Sequence, residues 1–383
     1  MRRRRVSSFF FGVQNELAQN MNQVFANRRR TLRAGLASEK LDSLLVTHPA
    51  DWYYLTGFTG DSGALVISRD HEPRAALITD GRFLSQAAEE TGGVKIVKQA
   101  GALYPSVGKF LHEGRGRRVG FDASQLTVAQ HGELLRGMGE RPALRAAPGL
   151  VARLRMRKET SELAAMRRAA LVADQVMALA ASMLKPGVRE FEVAAEIEYQ
   201  MKKRGASGPA FETIVAFGPR AALPHARATA KRLRKNELVV LDLGAILAHY
   251  CSDITRTYFV GRASLRVRGW YKAVVEAQGA AIAAVRDGVS CGDVDAAARN
   301  VLARYKLDRY FVHSTGHGLG LEVHEDPRVA KGQSRLLEPG NVITIEPGVY
   351  LPEIGGIRIE DDVAVHANRS EVLTRVSRDF TEL

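Results

Sequence analysis

The stretch LDLGAILAHYCSDITRT, residues 241–257, places two aspartates, Asp242 and Asp253, in otherwise apolar surroundings. Burying a carboxylate without compensation is energetically expensive. A two-residue turn at Leu247 and Ala248 would make the stretch a β-hairpin in which Asp242 lies opposite Asp253. Directly opposed residues share a face with Cβ atoms about 5 Å apart, and like charges there repel unless a cation lies between them. The stretch therefore predicts one wall of a cation site.

A second hairpin, VITIEPGVYLPEIGGIRIEDD (342–362), predicts a similar arrangement. Glu346 and Glu360 are symmetric about Glu353, so a loop centred on Glu353 would oppose the two acids. A glycine-rich segment lies between the two hairpins, and its glycines would let an imidazole approach a buried site closely. This segment, VHSTGHGLGLEVHE, carries His313, His317 and His324.

Charge balance decides what such a cluster would hold. Four carboxylates carry a charge of −4, which two divalent cations would neutralise and one would not. A ligand set of oxygen atoms and one histidine favours Mn²⁺, with Co²⁺, Fe²⁺ or Zn²⁺ as alternatives. This ligand set differs from that of a structural zinc site. A single aspartate in a strand is more often an edge or turn residue. The two symmetric acid pairs together favour a dinuclear centre, which supports hydrolysis by generating hydroxide and polarising a carbonyl.

The composition, with 45% hydrophobic and 25% charged residues, is typical of a soluble globular protein. The length of 383 residues is sufficient for two or three domains with sizeable cores. No apolar run reaches the length of a membrane span, so we expect no membrane insertion. Cys251 and Cys291 are too few for a disulfide framework or a cysteine zinc site. Such cysteine usage suits a reducing compartment, and we expect a cytoplasmic protein.

The net charge of +13 is concentrated in a few basic segments. Arg2 to Arg5 and Arg28 to Arg30 supply seven positive charges, against a single acid, Glu16, in the first thirty residues. Neither arginine run is interleaved with aromatic residues or forms part of a known nucleic-acid motif, so we expect a solvated, mobile arm rather than a nucleic-acid or membrane site. We interpret residues 1–24 as a disordered extension. A transit peptide and a translation start at Met21 stay open, whereas the short apolar core argues against a signal peptide.

The order of predicted elements divides the rest of the chain. Over residues 25–152 short apolar strands alternate with amphipathic helices, which predicts an α/β domain. Residues 153–383 run helices, strands, helices, strands, which predicts an α+β domain of two similar halves; Thr160 and Ser161 offer N-caps for its first helix. The predicted strands of the first domain are 41–48, 63–68, 75–80, 94–99 and 117–122. The predicted helices are 22–40, 81–91, 103–112, 125–137, 160–185, 190–203, 268–286 and 291–305.

These motifs resemble those of the metallopeptidases with the pita-bread fold, which include Xaa-Pro aminopeptidases, prolidases and methionine aminopeptidases. The resemblance runs from about residue 30 to the C-terminus. It implies a creatinase-like N-terminal α/β domain followed by a pita-bread catalytic domain with pseudo-twofold halves. The matched patterns are D-x-G, S-D-x-T-R-T, H-x-x-G-H…H-E, I-E-P-G and R-I-E-D, and the metal ligands they imply are Asp242, Asp253, His317, Glu346 and Glu360. By the same resemblance, Asp253 and Glu360 bridge the metals, Asp242 completes one site, and His317 and Glu346 complete the other.

The resemblance also implies roles around the metals. His225 in ALPHA (222–226) matches a substrate-side histidine, His324 one that stabilises the tetrahedral intermediate, and His313 one on the leaving-group side. Arg358 lies two residues before Glu360, on the same strand face, and would hold the bridging carboxylates through bidentate bonds. Glu346 would move a proton from the hydroxide to the leaving nitrogen. Arg220 and Ala221 stand where many relatives have Asn-Ser, which bears on substrate preference.

The N-terminal domain narrows the choice within the family. YLTGFTGDSGALVI (54–67) and ITDGRFLSQAAEE (78–90) resemble the extra domain of Xaa-Pro peptidases and creatinases, and the intact ligand set argues against creatinase. We predict an Xaa-Pro aminopeptidase, which acts on peptides with proline in second position and uses a metal-bridged hydroxide as nucleophile. The alternative is a prolidase, which cleaves only Xaa-Pro dipeptides. A catalytically silent binding module is an alternative of another class. The resemblance further implies a homodimer or tetramer.

Overall fold

A computed structural model describes the backbone of residues 3–140 and 142–383, and the side chains from residue 21 onward within those ranges. The chain divides into two compact units, Met1–Arg155 and Met156–Leu383. Most residues of the predicted disordered extension, 1–24, are among those whose side chains the structure does not describe. The disorder of this extension stays a prediction. Among the described residues, no helix combines the length and the apolar character needed to cross a bilayer.

The first unit is built on a six-stranded mixed sheet in the order β4-β3-β2-β1-β5-β6. The pairs β1–β5, β5–β6 and β3–β4 are parallel, while β1–β2 and β2–β3 are antiparallel. The strands are β1 (Ser43–Val46), β2 (Ala64–Ser68), β3 (Ala75–Thr79), β4 (Lys95–Lys98), β5 (Arg118–Phe121) and β6 (Ala143–Ala146). The helices are α1 (Arg3–Ser38), α2 (Pro49–Thr56), α3 (Leu84–Glu90), α4 (Leu103–Glu113), α5 (Val128–Met138) and α6 (Leu150–Arg155). The predicted α/β domain is confirmed.

Sequence patterns missed three elements of this unit, α2, α6 and β6. Strand β6 is exposed along most of its length, so it lacks the alternation of buried residues from which a strand is predicted. Helices α2 and α6 have eight and six residues, too few for a helical period to be recognised. The sheet is covered by α4 and α5, whose Val107 and Leu134 join Leu45, Val66 and Ile78 in one apolar cluster.

Two arginines of the expected mobile arm are buried in the first unit. Arg28 and Arg29 lie on α1 with 5% and 4% of their surfaces exposed. Their guanidinium groups donate to the carbonyl oxygens of Tyr54 at 3.1 Å and Leu55 at 2.8 Å. The prediction of a solvated arm is therefore wrong for these two residues, because buried carbonyls of α2 accept their hydrogen bonds.

The second unit consists of two halves, each with a pair of helices on an antiparallel sheet. Helices α7 and α8 share an apolar cluster with the sheet β12-β9-β8, and α9 and α10 share one with the sheet β14-β13-β15-β18-β19. The helices are α7 (Thr160–Met183), α8 (Glu190–Lys203), α9 (Leu265–Ala284) and α10 (Cys291–Arg304), with 3₁₀ turns at Gly218–Ala222 and Asp308–Tyr310. The strands are β7 (Gly208–Pro209), β8 (Ile214–Phe217), β9 (Glu237–Leu243), β10 (Ala245–Leu247), β11 (Tyr250–Cys251), β12 (Ile254–Val260), β13 (Gly316–Gly318), β14 (Glu325–Val329), β15 (Val342–Ile345), β16 (Gly348–Leu351), β17 (Gly355–Arg358), β18 (Asp361–Val365) and β19 (Ser370–Val372).

Helix α7 begins at Thr160, but its N-cap is Glu159 and not Thr160 or Ser161. The Glu159 carboxylate accepts from the backbone of the third helical residue, Glu162. The Glu162 carboxylate in turn accepts from the Glu159 N–H at 3.0 Å. This reciprocal capping box satisfies two N–H groups that a helix otherwise leaves without partners.

The first hairpin has a different register from the predicted one. Asp242 pairs with Thr255, and the turn is formed by Ala248 and His249, with φ values of +49° and +70°. The prediction that Asp242 lies directly opposite Asp253 is wrong by two residues, because the two-residue turn adopts the type I′ geometry, which requires positive φ at both central positions. Histidine adopts that conformation more readily than leucine does. Since side chains alternate with a period of two, a slip of two residues keeps both aspartates on one face.

The second hairpin has the predicted register. Gly348 pairs with Arg358 in β16–β17, and Ile345 pairs with Asp361 in β15–β18. Both pairings are symmetric about Glu353, which adopts a φ of +68° in the connecting loop. Glu346 and Glu360 therefore occupy facing positions, as the sequence predicted.

Candidate metal centre

The five acidic and imidazole side chains singled out in the sequence come together in the second unit. Asp253, His317 and Glu360 each offer a ligand atom within 4.8 Å of the other two. His317 Nε2 lies 3.8 Å from Asp253 Oδ2 and 3.4 Å from Glu346 Oε1. The Asp242 carboxylate is near enough to contribute to the raised pKa values of Asp253, Glu346 and Glu360. Four carboxylates and one imidazole thus surround one small space.

His317 is oriented by its backbone and by β15. Gly316 allows the close approach, because a Cβ atom there would lie 1.8 Å from the carbonyl oxygen of Thr344. His317 Nδ1 lies 3.0 Å from the carbonyl oxygen of Gly318 and therefore carries the proton that it donates. Burial lowers the pKa of His317 to about 4. The ring is thus neutral at pH 7, and Nε2 presents a lone pair toward the carboxylates, as a metal ligand requires.

The carboxylates repel one another in a dry environment. Asp242, Asp253 and Glu360 are 7%, 5% and 2% exposed. Burial raises the pKa of Asp253 well above its usual range, and the negative charges of Glu360 and Asp242 raise it further. The pKa of Glu360 is raised for the same reasons, with Glu346 as its strongest acidic neighbour. Burial, followed by Asp242, raises the pKa of Glu346 to about 8, although Arg358 and Thr344 oppose this.

The donor set fits divalent cations. Among the described residues, Asp242 Oδ1 and Asp253 Oδ1 are buried carboxylate oxygens without a hydrogen-bond donor. Buried polar atoms are nearly always satisfied, so two such oxygens beside a neutral imidazole indicate a missing electrophilic partner. Oxygen ligands with one nitrogen are the donor set of Mn²⁺ and similar ions. Asp242, Asp253, His317, Glu346 and Glu360 are the residues that would hold them.

Arg358 lies beside the cluster, but it does not make the predicted bidentate contact with Asp253 and Glu360. Its Nη2 donates to Asp242 Oδ2, and its Nε donates to the hydroxyl of Thr255 at 3.1 Å. Thr255 in turn donates to Glu360 Oε2 at 2.5 Å. The reason is geometric, since Thr255 lies opposite Asp242 and is interposed between Arg358 and Glu360. The threonine of the S-D-x-T-R-T pattern was the sequence signal for this contact.

His313 is linked to Arg358 through Tyr350, a residue that the sequence analysis missed. The Tyr350 hydroxyl accepts from Arg358 Nη1 at 2.6 Å and lies 2.8 Å from His313 Nε2. His313 Nδ1 lies 2.8 Å from the carbonyl oxygen of Ser314, so this nitrogen carries the proton and Nε2 accepts from Tyr350. Burial, followed by the positive charge of Arg358, lowers the pKa of His313 to about 4.

His225 and His324 lie at the exposed edge of the centre. The rings of His324 and His317 are 4.3 Å apart in an edge-to-face arrangement. Burial, followed by the proximity of His225, lowers the pKa of His324, while Asp242 raises it. Of the four predicted histidines, His317 lies in the buried cluster, His313 contacts Tyr350 beside it, and His225 and His324 are exposed.

Two further groups support the residues of the centre. Asp362, which is 1% exposed, accepts from the backbone N–H of Asp253 through Oδ2 at 3.1 Å. On α10, Arg299 Nη2 donates to the carbonyl oxygen of His313 at 2.6 Å, and Arg299 Nε donates to Asp295 Oδ2 at 2.7 Å. The other oxygen of Asp295 accepts from the hydroxyl of Thr315 at 2.8 Å. The Asp295–Arg299 pair thereby fixes the loop that carries His313 to a helix, a contact that no local sequence pattern predicts.

The fold and the site define a class of protein: a peptidase that depends on metal ions. Residues 164–367 match the family described as "Metallopeptidase family M24", and residues 28–157 match the "Creatinase/Prolidase N-terminal domain". The chain belongs to metallopeptidase family M24. The predicted resemblance is confirmed, and with it the fold: a creatinase-type α/β domain followed by a pita-bread domain.

Three relatives are informative. A structure described as Xaa-Pro dipeptidase from Bacillus anthracis shares 36% sequence identity and a TM-score of 0.90, covering 94% of this chain and all of that one. The Xaa-Pro dipeptidase of Pyrococcus horikoshii is 45% identical over 227 residues, which are 59% of this chain and 65% of that protein. The X-Pro aminopeptidase structure from Thermotoga maritima MSB8 shares 32% identity and a TM-score of 0.82, covering 90% of this chain and 98% of that one.

Proposed function

We propose that this metallopeptidase hydrolyses Xaa-Pro dipeptides, that is, that it acts as a prolidase. The observation that carries the hydrolytic part is the buried cluster of four carboxylates and a neutral histidine with two unsatisfied oxygens. The dipeptide preference is supported by the Bacillus anthracis and Pyrococcus horikoshii relatives, whose names state that activity. The sequence alone favoured an Xaa-Pro aminopeptidase, and these relatives shift the proposal to its alternative.

Each ligand has an assigned place in this proposal. Asp242, Asp253, Glu346 and Glu360 would supply oxygen ligands to two divalent cations, and His317 would supply a nitrogen ligand. When bound, such cations, Mn²⁺ by the ligand chemistry, would supply an activated water and would polarise the scissile carbonyl. The apolar strands around the cluster exclude bulk water and hold the carboxylates in place.

The proton transfers are assigned to residues of the chain. Glu346 lies in the centre, with Oε1 3.4 Å from His317 Nε2, so we assign to it the transfer of a proton to the leaving proline nitrogen. His225 and His324 contact the substrate from the exposed edge. Arg358 and Tyr350 hold Asp242 and His313 in orientation through the hydrogen bonds described above.

The test compares substrates of different length on metal-loaded enzyme. We expect Xaa-Pro dipeptides to be cleaved with a kcat/KM at least about tenfold above that of the matched Xaa-Pro-Yaa tripeptides, about 1.4 kcal/mol of discrimination. Equal or faster cleavage of the tripeptides and of longer peptides would overturn the dipeptidase assignment. A peptide without proline in second position serves as the control for nonspecific hydrolysis.

The Xaa-Pro aminopeptidase is the second candidate, and the similarity to the Thermotoga maritima MSB8 structure favours it. The same assay separates the two, because an aminopeptidase accepts a chain beyond the proline. The silent binding module stays an alternative that any Xaa-Pro hydrolysis would exclude. The cytoplasmic location and the homo-oligomer expected from the sequence stay predictions.

A further inference from the structure

A second charged site lies in the first unit, on the sheet edge that β4 forms. An open groove of about 410 Å³ is bounded by α1, the β2–β3 connection and the start of β4. Its lining includes four cationic side chains and one acidic side chain. These residues are Arg29, Arg33, Glu72, Arg74 and Lys95. The excess of three positive charges in one concave site is the opposite of the acidic centre of the second unit.

The arrangement of the cations follows from the local structure. Arg29 and Arg33 are four residues apart on α1 and therefore lie on one helix face. Lys95 begins β4 and pairs with Ala76 of β3, close to Arg74 in the preceding turn. Three separate elements thus direct positive charge into the same groove, which no single run of basic residues in the sequence would produce.

Arg29 forms the fixed floor of the groove. Its Nη1 donates to the carbonyl oxygen of Leu55 at 2.8 Å, and its Nη2 donates to that of Gly92 at 2.7 Å. These acceptors orient the guanidinium without neutralising its charge. Burial, followed by the charge of Arg33, lowers the pKa of Arg29 to about 10. The repulsion between these two guanidinium groups is a free-energy cost that a bound anion would remove.

The remaining charges are only partly compensated. Glu72 pairs with Arg74 at 3.1 Å. Within the part of the chain whose side chains are described, Arg33 and Lys95 have no carboxylate within the 4.0 Å of an ion pair. Burial, followed by the charges of Arg74 and Arg30, lowers the pKa of Arg33, while Glu72 raises it. Among the described residues that line the groove, one carboxylate therefore compensates part of the charge of four cationic side chains.

We propose that this groove binds a small polyanion that carries two or more linked phosphoryl groups. Charge balance favours such a ligand over a single carboxylate, because the groove has an excess of three positive charges. Guanidinium groups donate to phosphoryl oxygens in pairs, and the lysine adds a flexible point charge. The groove is open to solvent, so the ligand enters without any rearrangement of the sheet. This site is independent of the peptidase centre.

The test is a calorimetric titration of the full chain, dialysed free of loose metal ions, with pyrophosphate and tripolyphosphate. Both should bind in low salt, and affinity should fall as ionic strength rises, because the contacts are electrostatic. Arg33→Gln and Lys95→Gln should each weaken binding by about tenfold, in keeping with one lost charged hydrogen bond. Glu72→Gln should strengthen binding, because it removes the one acid among the described residues that line the groove.

Arg136→Gln is the matched control, since Arg136 is an exposed arginine at the end of α5 and does not line the groove. It should leave binding unchanged. Equal weakening by Arg33→Gln, Lys95→Gln and Arg136→Gln would overturn the proposal in favour of diffuse basic charge. Absence of binding to either probe, or binding of an RNA oligonucleotide without binding of tripolyphosphate, would also overturn it. Arg29 is left unchanged because its buried hydrogen bonds support the fold.

Discussion

Removal of the metal ions should make the stability of the second unit fall as pH rises through neutrality, and Glu346 should be a measurable part of this effect. Burial, followed by Asp242, raises the pKa of Glu346 from 4.5 to about 8. The folded state therefore holds a proton that the unfolded state has lost, so stability is greatest at low pH and declines between pH 4.5 and pH 8. At 1.36 kcal/mol per unit, the whole shift corresponds to about 5 kcal/mol.

A comparison of the wild type with Glu346→Gln over the window from pH 6.5 to 8 brings out this contribution. About 1.5 kcal/mol of the total falls there, because a group with a pKa near 8 loses roughly half of its proton by the end of that window. His313 and His317, with pKa values lowered to about 4, act in the opposite sense, mainly between pH 4 and 6.5. Their contribution is shared by the wild type and by Glu346→Gln, and it cancels in a comparison of the two.

The assay is urea unfolding of chelator-treated protein at pH 6.5 and 8. The free energy of unfolding of the wild type should fall by about 1.5 kcal/mol more than that of Glu346→Gln. Glu353→Gln, which changes an exposed acid in the loop of the same hairpin, should follow the wild type. Manganese-loaded wild type should lose the decline, because the cations compensate the ionised carboxylates. Identical pH dependence of the wild type and Glu346→Gln without metal would refute the reasoning.

Three other perturbations test the centre. Asp253→Asn should abolish hydrolysis and reduce the metal content measured by plasma mass spectrometry; full activity of this variant would exclude Asp253 as a ligand. In chelator-treated wild type, Mn²⁺ should restore activity better than Mg²⁺. Tyr350→Phe should lower the free energy of unfolding by about 1–3 kcal/mol, since two buried groups lose their partner, and should reduce kcat more than it raises KM. Arg299→Lys should lower kcat/KM by about tenfold, because a lysine cannot donate to Asp295 and to the backbone of His313 together. The control Arg304→Lys, on the exposed face of α10, should leave kcat/KM unchanged. Equal effects of the two variants would refute a role of Arg299 in positioning His313.

Local patterns were sufficient for most of the architecture. The five predicted strands of the first unit and the predicted long helices of both units are present, because apolar periodicity and turn residues report directly on burial. The register of the second hairpin also followed from the symmetry of Glu346 and Glu360 about Glu353. Local patterns failed where the signal was weak, as in the exposed strand β6 and in the turn at Ala248 and His249, which lacks asparagine and glycine.

The sequence by itself determined the chemistry of the candidate centre, because residue type fixes charge and ligand preference. Four carboxylates beside a histidine can be buried together in ionised form only with compensating cations. It could not determine which groups orient those ligands. Tyr350 between Arg358 and His313, and Thr255 between Arg358 and Glu360, depend on contacts across strands far apart in the chain. The basic groove of the first unit has the same origin, since α1, β4 and the β2–β3 turn meet only when the sheet has formed. Charge is a property of the residue, whereas its compensation depends on which neighbours the tertiary structure supplies.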